Sequence, residues 1–210
     1  MSAPGRFVTL EGGEGVGKST QAARLAQALR ERGLDVVETR EPGGSVGAEA
    51  IRGLLLSGEV ERWSPRVEAL LFAAARGDHV ERTIKPALAR GALVLCDRFL
   101  DSSVAYQGIA GGLGVEAVRT LHSIGSGGFL PDRTLVLALP ADQARLREQA
   151  RDGGRPDRFG RKAPAYHQAV ADGFLRLAAA EPHRFRVVDA GGHPEAVTAR
   201  LMEALEDLLP

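Results

Sequence analysis

The stretch EGGEGVGKST, residues 11–20, decides the fold class of this chain. It follows the apolar run RFVTL directly and leads into a segment whose apolar residues recur at helical spacing, so it joins a predicted strand to a predicted helix. From Gly12 to Ser19 it reads G-x-x-x-x-G-K-S, and this strand-to-helix context is the one in which the pattern binds phosphate. The glycines allow successive backbone N–H groups to curl around a phosphate at the positive end of the helix. The stretch therefore predicts a phosphate-binding loop, or P-loop, for ATP.

The P-loop also supplies two side chains with separate tasks. Lys18 offers a point charge to the β- and γ-phosphates, and Ser19 offers a hydroxyl to Mg²⁺. The alternative is a glycine-rich turn with an incidental lysine, and eight positions in the right order argue against it. A GTP switch is excluded, because guanine reading needs an Asn-Lys-x-Asp stretch and the chain contains no asparagine. The candidate nucleotide-binding residues are Gly12, Gly13, Glu14, Gly15, Val16, Gly17, Lys18, Ser19 and Thr20.

Short apolar runs alternate with helical patterns along the rest of the chain. Most of these runs lack in-out alternation, which is typical of strands covered by helices on both faces. The alternation predicts an α/β fold, a parallel sheet with helices on both sides, in one domain spanning residues 1–210. The predicted strands are 6–12, 35–39, 92–97, 133–139 and 184–190.

Composition excludes several classes of protein. Lysine plus arginine equal aspartate plus glutamate, so the basic surplus of a nucleic-acid binder is missing and no nucleic-acid partner is expected. No run of about 18 apolar residues predicts a membrane span, and the first residues carry no secretory signal. The single cysteine, Cys96, lies in an apolar run and is expected to be a buried, inert thiol. Together these features favour a cytoplasmic protein.

Two segments after the P-loop predict a second ligand. TREPGGSVGAEAIR, residues 39–52, follows the second predicted strand, and Pro42 with two glycines fixes a tight turn that presents Arg40 at the carboxyl edge of the sheet. Alone, this turn would be an ordinary connection. In the helical segment ALLFAAARGDH, Phe72 and Arg76 lie four residues apart on one face. A ring and a guanidinium placed in this way could stack on a flat base and donate hydrogen bonds to it. A core phenylalanine with a solvated arginine is an equally good interpretation of the spacing alone.

The segment CDRFLDSSVAYQG, residues 96–108, begins where the third predicted strand ends. Asp97 could hold Mg²⁺ through water, and Arg98 could bind a phosphate with two hydrogen bonds. Ser103, Tyr106 and Gln107 follow at helical spacing and add groups that both donate and accept. A helix cap would explain the serines equally well, but not the Tyr-Gln pair beside them.

Six segments of the chain, in their order and spacing, resemble thymidylate kinase over nearly the whole chain. They are GGEGVGKST, TREPGG, LLFAAAR, CDRFLDSSVAYQG, PDRTLVL and RDGGRPDRF. The resemblance implies transfer of the ATP γ-phosphate to dTMP, giving dTDP and ADP with Mg²⁺ as cofactor. It also implies the P-loop nucleoside monophosphate kinase fold, with a five-stranded parallel sheet and a short lid, and a homodimer. For the base, it implies that Phe72 stacks on thymine and that Arg76 hydrogen-bonds to it. Ser103 and Gln107 would fix the base, while Tyr106 would pack under the deoxyribose, where a 2′-hydroxyl would clash.

For the phosphate end, the resemblance implies that Arg98, helped by Arg40, holds the dTMP phosphate. Glu14 would approach the 3′-hydroxyl side of the sugar. Family members carry a cis peptide before the proline of REPGG, so a cis Glu41–Pro42 bond is expected here.

The basic segment RDGGRPDRFGRK, residues 151–162, predicts the lid. Its glycines allow it to move, and it is expected to stay unpacked because it has almost nothing apolar to anchor it. Phosphoryl transfer needs positive charge on the transferring group, and none of the variable P-loop positions 13–16 is basic. The pattern resembles the bacterial subtype with its catalytic arginine in the lid, so Arg155 and Arg158 are the main candidates and Arg151 is the next. The alternative is a solvated loop whose charges keep it soluble.

Four positions depart from the family pattern. Many relatives carry charged residues at these positions, where this chain has Ala138, Gly160, Ala169 and Ala171. Salt bridges that would hold the lid in place are therefore missing. None of the four belongs to the predicted base or phosphate contacts. A more mobile lid is the expected consequence.

Two other functions stay open on the sequence. The first is a kinase for another pyrimidine monophosphate, because the phosphate-binding residues would be much the same. The second is a P-loop ATPase that acts as a regulatory or DNA-partitioning module and turns over ATP without a nucleotide acceptor.

Overall fold

A computed structural model describes residues 5–152 and 157–209. In this part of the chain, five strands form one parallel sheet in the order β2-β3-β1-β4-β5. The strands are β1 (Arg6–Glu11), β2 (Val36–Arg40), β3 (Leu93–Asp97), β4 (Arg133–Ala138) and β5 (Phe185–Asp189). All five lie within a residue or so of the predicted bounds. The three inner strands β1, β3 and β4 are buried at nearly every position, as expected of strands covered on both faces, whereas the edge strands β2 and β5 have exposed positions.

Helices cover both faces of the sheet. One core packs α1 and α9 against the sheet, through residues such as Leu25 and Leu201. The other core packs the helices that contain Ile84, Val104 and Phe174 against the opposite face. The helices are α1 (Lys18–Glu31), α2 (Val46–Leu56), α3 (Pro65–His79), α4 (Lys85–Ala89), α5 (Leu100–Ser103), α6 (Val115–Ser126), α7 (Ala141–Asp152), α8 (Pro164–Ala180) and α9 (Pro194–Glu203). The predicted α/β class is thus confirmed.

Two helices continue into π-helical turns, Val80–Ile84 after α3 and Val104–Ala110 after α5. The second one matters for function because it contains Tyr106 and Gln107. A π-turn widens the helix locally and is frequent at functional sites. The sequence predicted ordinary helical spacing at this position.

The carboxyl edge of the sheet positions the site. The central strands β1 and β3 run side by side with Leu10 opposite Asp97, so the P-loop and the segment after β3 leave the sheet together. Arg98 has a left-handed backbone with φ of 70°, and its N–H donates to the Leu10 carbonyl at 2.9 Å. Ligands of open α/β sheets collect at this edge. The peptide bond between Glu41 and Pro42 is cis, as expected.

The end of the predicted lid is packed rather than loose. Arg158 and Phe159 are both buried, with Phe159 in the same apolar core as Tyr106 and Phe174. The expectation that residues 151–162 have nothing to anchor them is therefore wrong for this end of the segment. Phenylalanine supplies enough apolar area to hold it against the core.

Candidate active site

The P-loop curls from β1 into α1, which begins at Lys18. Gly12, Gly15 and Gly17 all have positive φ, the backbone region that glycine adopts without strain. The Lys18 ammonium group is buried and donates to the carbonyl oxygen of Gly13. Burial, and then the nearby charge of Arg98, lowers the pKa of Lys18 to about 8. A bound polyphosphate would reverse this effect, because its negative charge favours the protonated ammonium.

Ser19 and Asp97 lie together beside the P-loop. The Ser19 hydroxyl donates to Asp97 Oδ2 at 2.8 Å. Asp97 Oδ1 is buried and has no hydrogen-bond partner among the described residues. Mg²⁺ prefers hard oxygen ligands and usually retains several waters, so one hydroxyl and one carboxylate fit it without a full protein cage.

Arg98 occupies the middle of the site. Its Nη1 donates to the Gly12 carbonyl and to the Ser102 hydroxyl, both at 3.1 Å, while Nη2 pairs with Glu14 Oε1 at 2.6 Å. The guanidinium also lies over the Tyr106 ring, 5.0 Å from its centre. The Tyr106 hydroxyl donates to the same Glu14 oxygen at 2.7 Å. The guanidinium is thus held from three sides in one orientation.

Glu11, at the end of β1, fixes the turn that carries Arg98. Its Oε1 accepts from the backbone N–H of Phe99 at 2.8 Å and of Ser102 at 3.2 Å, and its Oε2 contacts the Ser102 hydroxyl at 2.5 Å. Burial, and then the charge of Asp101, raises the pKa of Glu11 to about 8. This carboxyl group therefore caps α5 and supports the left-handed backbone of Arg98.

One continuous cavity of about 630 Å³ extends from the P-loop to the helix α3 side of the molecule. Lys18 and Ser19 line one end, Arg98 lies along its course, and Phe72, Arg76 and Gln107 line the other end. A cavity of this size can hold a drug-sized ligand with much of its surface buried.

Arg76 is the central residue of the far end. Its Nε donates to Glu41 Oε2 at 2.8 Å, and its Nη2 donates to the Ser103 hydroxyl at 2.7 Å and to the Phe99 carbonyl at 3.2 Å. The other oxygen of Glu41 contacts His79 Nδ1 at 3.0 Å. Glu41, from the REPGG turn, therefore holds both α3 side chains and fixes the guanidinium plane.

Gln107 lies beside Arg76 with its amide held on one side only. Its Nε2 donates to Glu68 Oε1 at 3.0 Å. Its Oε1 is buried and has no hydrogen-bond partner among residues 5–152 and 157–209. A buried amide oxygen without a partner is costly, so a ligand that donates a hydrogen bond would be favoured there.

Comparison with known proteins decides the family. A sequence model described as "Thymidylate kinase" matches residues 10–201. The chain belongs to the thymidylate kinase family. It is 66% identical over 207 residues to the thymidylate kinase of Rhizorhabdus wittichii, a match that covers 99% of this chain and 100% of that one. The thymidylate kinase of Caulobacter vibrioides is 50% identical over 201 residues, covering 96% of each chain.

A solved structure supports the same assignment at the level of the fold. The crystal structure of thymidylate kinase from Ehrlichia chaffeensis superposes with a TM-score of 0.77 at 29% identity, covering 97% of this chain and 100% of that one. The fold is thus that of the P-loop nucleoside monophosphate kinases. Thymidylate kinases phosphorylate dTMP to dTDP with ATP, and this chain is a nucleoside monophosphate kinase of that kind.

The kinase brings most of the predicted site residues together around one cavity. The predicted residues that line it are Glu14, Gly15, Val16, Gly17, Lys18, Ser19, Thr20, Arg40, Phe72, Arg76, Asp97, Arg98, Ser103, Tyr106 and Gln107. Arg40 lies at its margin, where Nη2 pairs with Glu49 at 3.0 Å and more than half of the side chain is exposed.

The three lid arginines differ. Arg158 is fully buried: its Nε donates to the Leu55 carbonyl at 2.9 Å, its Nη1 to the Val60 carbonyl at 3.0 Å, and its Nη2 pairs with Glu68 at 2.5 Å. In this conformation it faces the loop between α2 and α3 and does not line the cavity. Arg155 and the side chain of Arg151 lie outside the described residues.

Sequence reasoning missed several residues of the kinase's site. Glu41 and Glu68 hold the base-end side chains, and Arg52 and Arg147 line the cavity. Arg52 is the last residue of the segment 39–52, and its distance of twelve residues from Arg40 gave no sign that it would reach the same cavity. The two carboxylates carry no local signal, because their partners lie 35 and 39 residues away in the chain.

A search of the described residues finds no helix that is long and apolar enough to cross a membrane.

Proposed function

We propose that the cavity holds ATP and dTMP end to end, with the reacting phosphates meeting beside Arg98. The observation that carries this proposal is the continuity of the cavity from Lys18 to Phe72 and Arg76, with Arg98 between them. Such a cavity aligns donor and acceptor for in-line transfer, in which the protein supplies mainly position and charge.

At the acceptor end, Phe72 stacks on thymine, and Arg76, Ser103 and Gln107 hydrogen-bond to it. The partly buried Phe72 ring meets Phe159 edge-on, with 5.8 Å between ring centres, which supports a fixed ring face toward the base. Tyr106 packs under the deoxyribose. The unpartnered Oε1 of Gln107 supports recognition of a base that donates a hydrogen bond.

At the reacting centre, Arg98 binds the dTMP phosphate with help from Arg40, and Glu14 approaches the 3′-hydroxyl side of the sugar. The 2.6 Å pair of Arg98 with Glu14 supports this arrangement, because the guanidinium is already turned toward an anion. The phosphate takes over part of the role that the carboxylate has in the free enzyme.

Mg²⁺ is held by Ser19 and, through water, by Asp97. The unpartnered Asp97 Oδ1 and the 2.8 Å contact of its Oδ2 with Ser19 support this pair of ligands. The ion would neutralise charge on the β- and γ-phosphates while Lys18 holds the same groups.

A lid arginine supplies the remaining positive charge, with Arg155 first and Arg151 second. Positions 13–16 of the P-loop carry no basic residue. A Cβ atom on Gly15 would lie 2.0 Å from the Ala144 carbonyl oxygen in α7, so an arginine there would displace the helix that leads into the lid. This close approach favours a charge delivered from the lid.

The described surface offers support for the expected homodimer. Helix α3 packs against both α2 and α6, and all three expose apolar side chains. Leu70 is 53% exposed, Ile124 79% and Val46 90%. Exposed apolar side chains on neighbouring helices favour burial against a second copy. Light scattering of the purified protein would give the mass of a dimer, and a monomer mass would contradict the proposal.

A cytoplasmic location remains the inference from the single buried Cys96, whose thiol pKa is raised well above its usual range by burial.

A coupled assay of ADP release tests the acceptor. Wild-type enzyme is offered dTMP, dUMP, UMP, CMP or no acceptor, each with ATP and Mg²⁺. Turnover should be fastest with dTMP and slowest without acceptor. Preference for UMP would move the enzyme to another pyrimidine kinase, and hydrolysis indifferent to dTMP would replace it by an ATPase.

The lid assignment has its own test, in which Arg155→Ala is compared with Arg158→Ala. Loss of a charge that acts only on the transferring phosphate lowers kcat by about 10³-fold or more while KM for dTMP changes little. This pattern is expected for Arg155. If it appeared for Arg158 and not for Arg155, the buried conformation of Arg158 would have to open during catalysis.

A further inference from the structure

The amide of Gln107 has a defined orientation. Its nitrogen faces the Glu68 carboxylate at 3.0 Å, and its oxygen is buried, in a side chain that lines the cavity together with Arg76 and Ser103. The backbone is fixed as well, because the Gln107 carbonyl accepts from Leu113 N–H at 3.1 Å. The side chain is only 2% exposed, so water does not compete for either end of the amide.

Glu68 sets this orientation because an ionised carboxylate can only accept hydrogen bonds. If the amide rotated by half a turn, two oxygens would face each other in a buried site, and the rotated form would be disfavoured. Glu68 is itself only 5% exposed, and its second oxygen pairs with the fully buried Arg158 guanidinium at 2.5 Å. Arg158 therefore supplies the countercharge that a buried carboxylate needs.

We propose that Glu68, paired with Arg158, is a specificity-determining positioning residue that makes Gln107 present its carbonyl oxygen to the base. Thymine and uracil carry an N–H at position 3 and would donate to that oxygen. Cytosine carries a lone pair at the same position, so the two acceptors would repel each other. The inference rests on the proposed placement of the base in this cavity.

The same pairing gives Arg158 a function at the base end of the site. Arg158 belongs to the lid segment by sequence, yet its contacts are with Glu68 and with two carbonyls of the α2–α3 region. It acts through Glu68 on Gln107 and is therefore also a positioning residue.

The test replaces the carboxylate by an amide in Glu68→Gln. The new side chain can donate as well as accept, so Gln107 can turn and offer its N–H₂ group to cytosine. We expect the ratio of kcat/KM for dTMP to kcat/KM for dCMP to fall by about tenfold or more, as one misplaced buried hydrogen bond would give. Glu59→Gln is the matched control, because Glu59 is exposed and forms a long ion pair of 3.6 Å with Arg161. Its ratio should equal that of the wild type.

A second variant guards against a folding defect, since Glu68→Gln leaves the Arg158 charge buried without a partner. The double variant Glu68→Gln with Arg158→Met removes both charges at similar volume and should show the same lowered ratio. Equal losses for dTMP and dCMP in the folded variants would overturn the inference, because a purely structural role affects both substrates alike.

The wild-type enzyme provides a measurement that needs no variant. In a neutron crystal structure of the dTMP complex, the protonated Nε2 of Gln107 should face Glu68, and the proton-free Oε1 should face N3–H of the base. Amide protons that face the base instead would overturn the inference. Absence of wild-type activity on dTMP would instead overturn the proposed function, so the two failures are distinguishable.

Discussion

Replacing Gly15 by alanine should lower the stability and kcat of the enzyme far more than the small size of the added methyl group suggests. Gly15 has φ of 71°, and a Cβ atom there would lie 2.0 Å from the Ala144 carbonyl oxygen and 2.8 Å from its carbonyl carbon. Both neighbours are backbone atoms of α7, so they cannot rotate away as a flexible side chain could. The first turns of α7 would have to move.

The size of the effect can be worked out from these values. The left-handed backbone costs alanine about 1–2 kcal/mol. An ordinary van der Waals contact begins near 3.4 Å, so α7 must retreat by about 1.4 Å, and forced overpacking of this kind costs typically about 1–3 kcal/mol more. The free energy of unfolding should fall by about 2–5 kcal/mol, the sum of these two costs. Since α7 leads into the lid, kcat should fall more than the affinity for dTMP.

Gly13→Ala is the matched control within the same loop. A methyl group added at Gly13 would meet no atom of the described residues within 4 Å, and Gly13 does not have positive φ. Urea unfolding of the two variants and the wild type, followed by steady-state kinetics at saturating ATP, gives the comparison. Stability and kcat of Gly15→Ala equal to those of Gly13→Ala would refute the packing of α7 on the P-loop, and with it one support for the lid arginine.

Further predictions concern single side chains of the site. Lys18→Ala should abolish turnover with the unfolding transition unchanged, and unaltered rates would contradict the phosphate role of the P-loop. The pKa of Lys18 is about 8 in the free enzyme, so ATP binding should be accompanied by proton uptake near and above about pH 8 and by little uptake below about pH 7. Isothermal titration calorimetry in buffers of different ionisation enthalpy would measure this uptake. Phe72→Ala should mainly raise KM for dTMP, and a loss of thermal stability alone would show a core residue. The pKa of Glu11 rises from 4.5 to about 8 on folding, so the free energy of unfolding of the wild type should fall as pH rises through this range. Glu11→Gln should lack this fall, and parallel pH profiles of unfolding for the variant and the wild type would contradict the assignment.

The sheet could be predicted from the sequence because its signals are local. Each strand contains consecutive apolar residues next to a turn residue or a helical pattern, and the P-loop fixes where the first strand ends. The residues of REPGG and of the segment after β3 could be placed at the same edge, since parallel strands direct their carboxyl ends to one side. These motifs therefore placed Arg40 and Arg98 at one edge of the sheet, whereas Phe72 and Arg76 were assigned to the same site only by the resemblance to thymidylate kinase.

The supporting carboxylates could not be predicted in this way. Glu68 lies in α3 among apolar residues, and no neighbouring residue in the sequence indicates that Gln107 and Arg158 are its partners. The burial of Arg158 was missed for a related reason. A stretch with several arginines and glycines is typical of a solvated loop. The buried Arg158 guanidinium is compensated by tertiary contacts, with the carbonyls of Leu55 and Val60 and with the Glu68 carboxylate.

The free enzyme keeps its cationic groups paired inside the protein, and this has a consequence for substrate selection. Arg98 is held by Glu14, and Arg76 by Glu41, at 2.6 and 2.8 Å. Arg76 is almost fully buried and the Arg98 side chain is only 17% exposed, so a nucleotide that enters displaces little water from either guanidinium and binding loses little desolvation energy. The dTMP phosphate must instead compete with Glu14 for Arg98, and an anion with less charge or a poorer fit would compete less well. Discrimination at the phosphate end thus follows from a carboxylate already in place, as discrimination at the base end follows from Glu68.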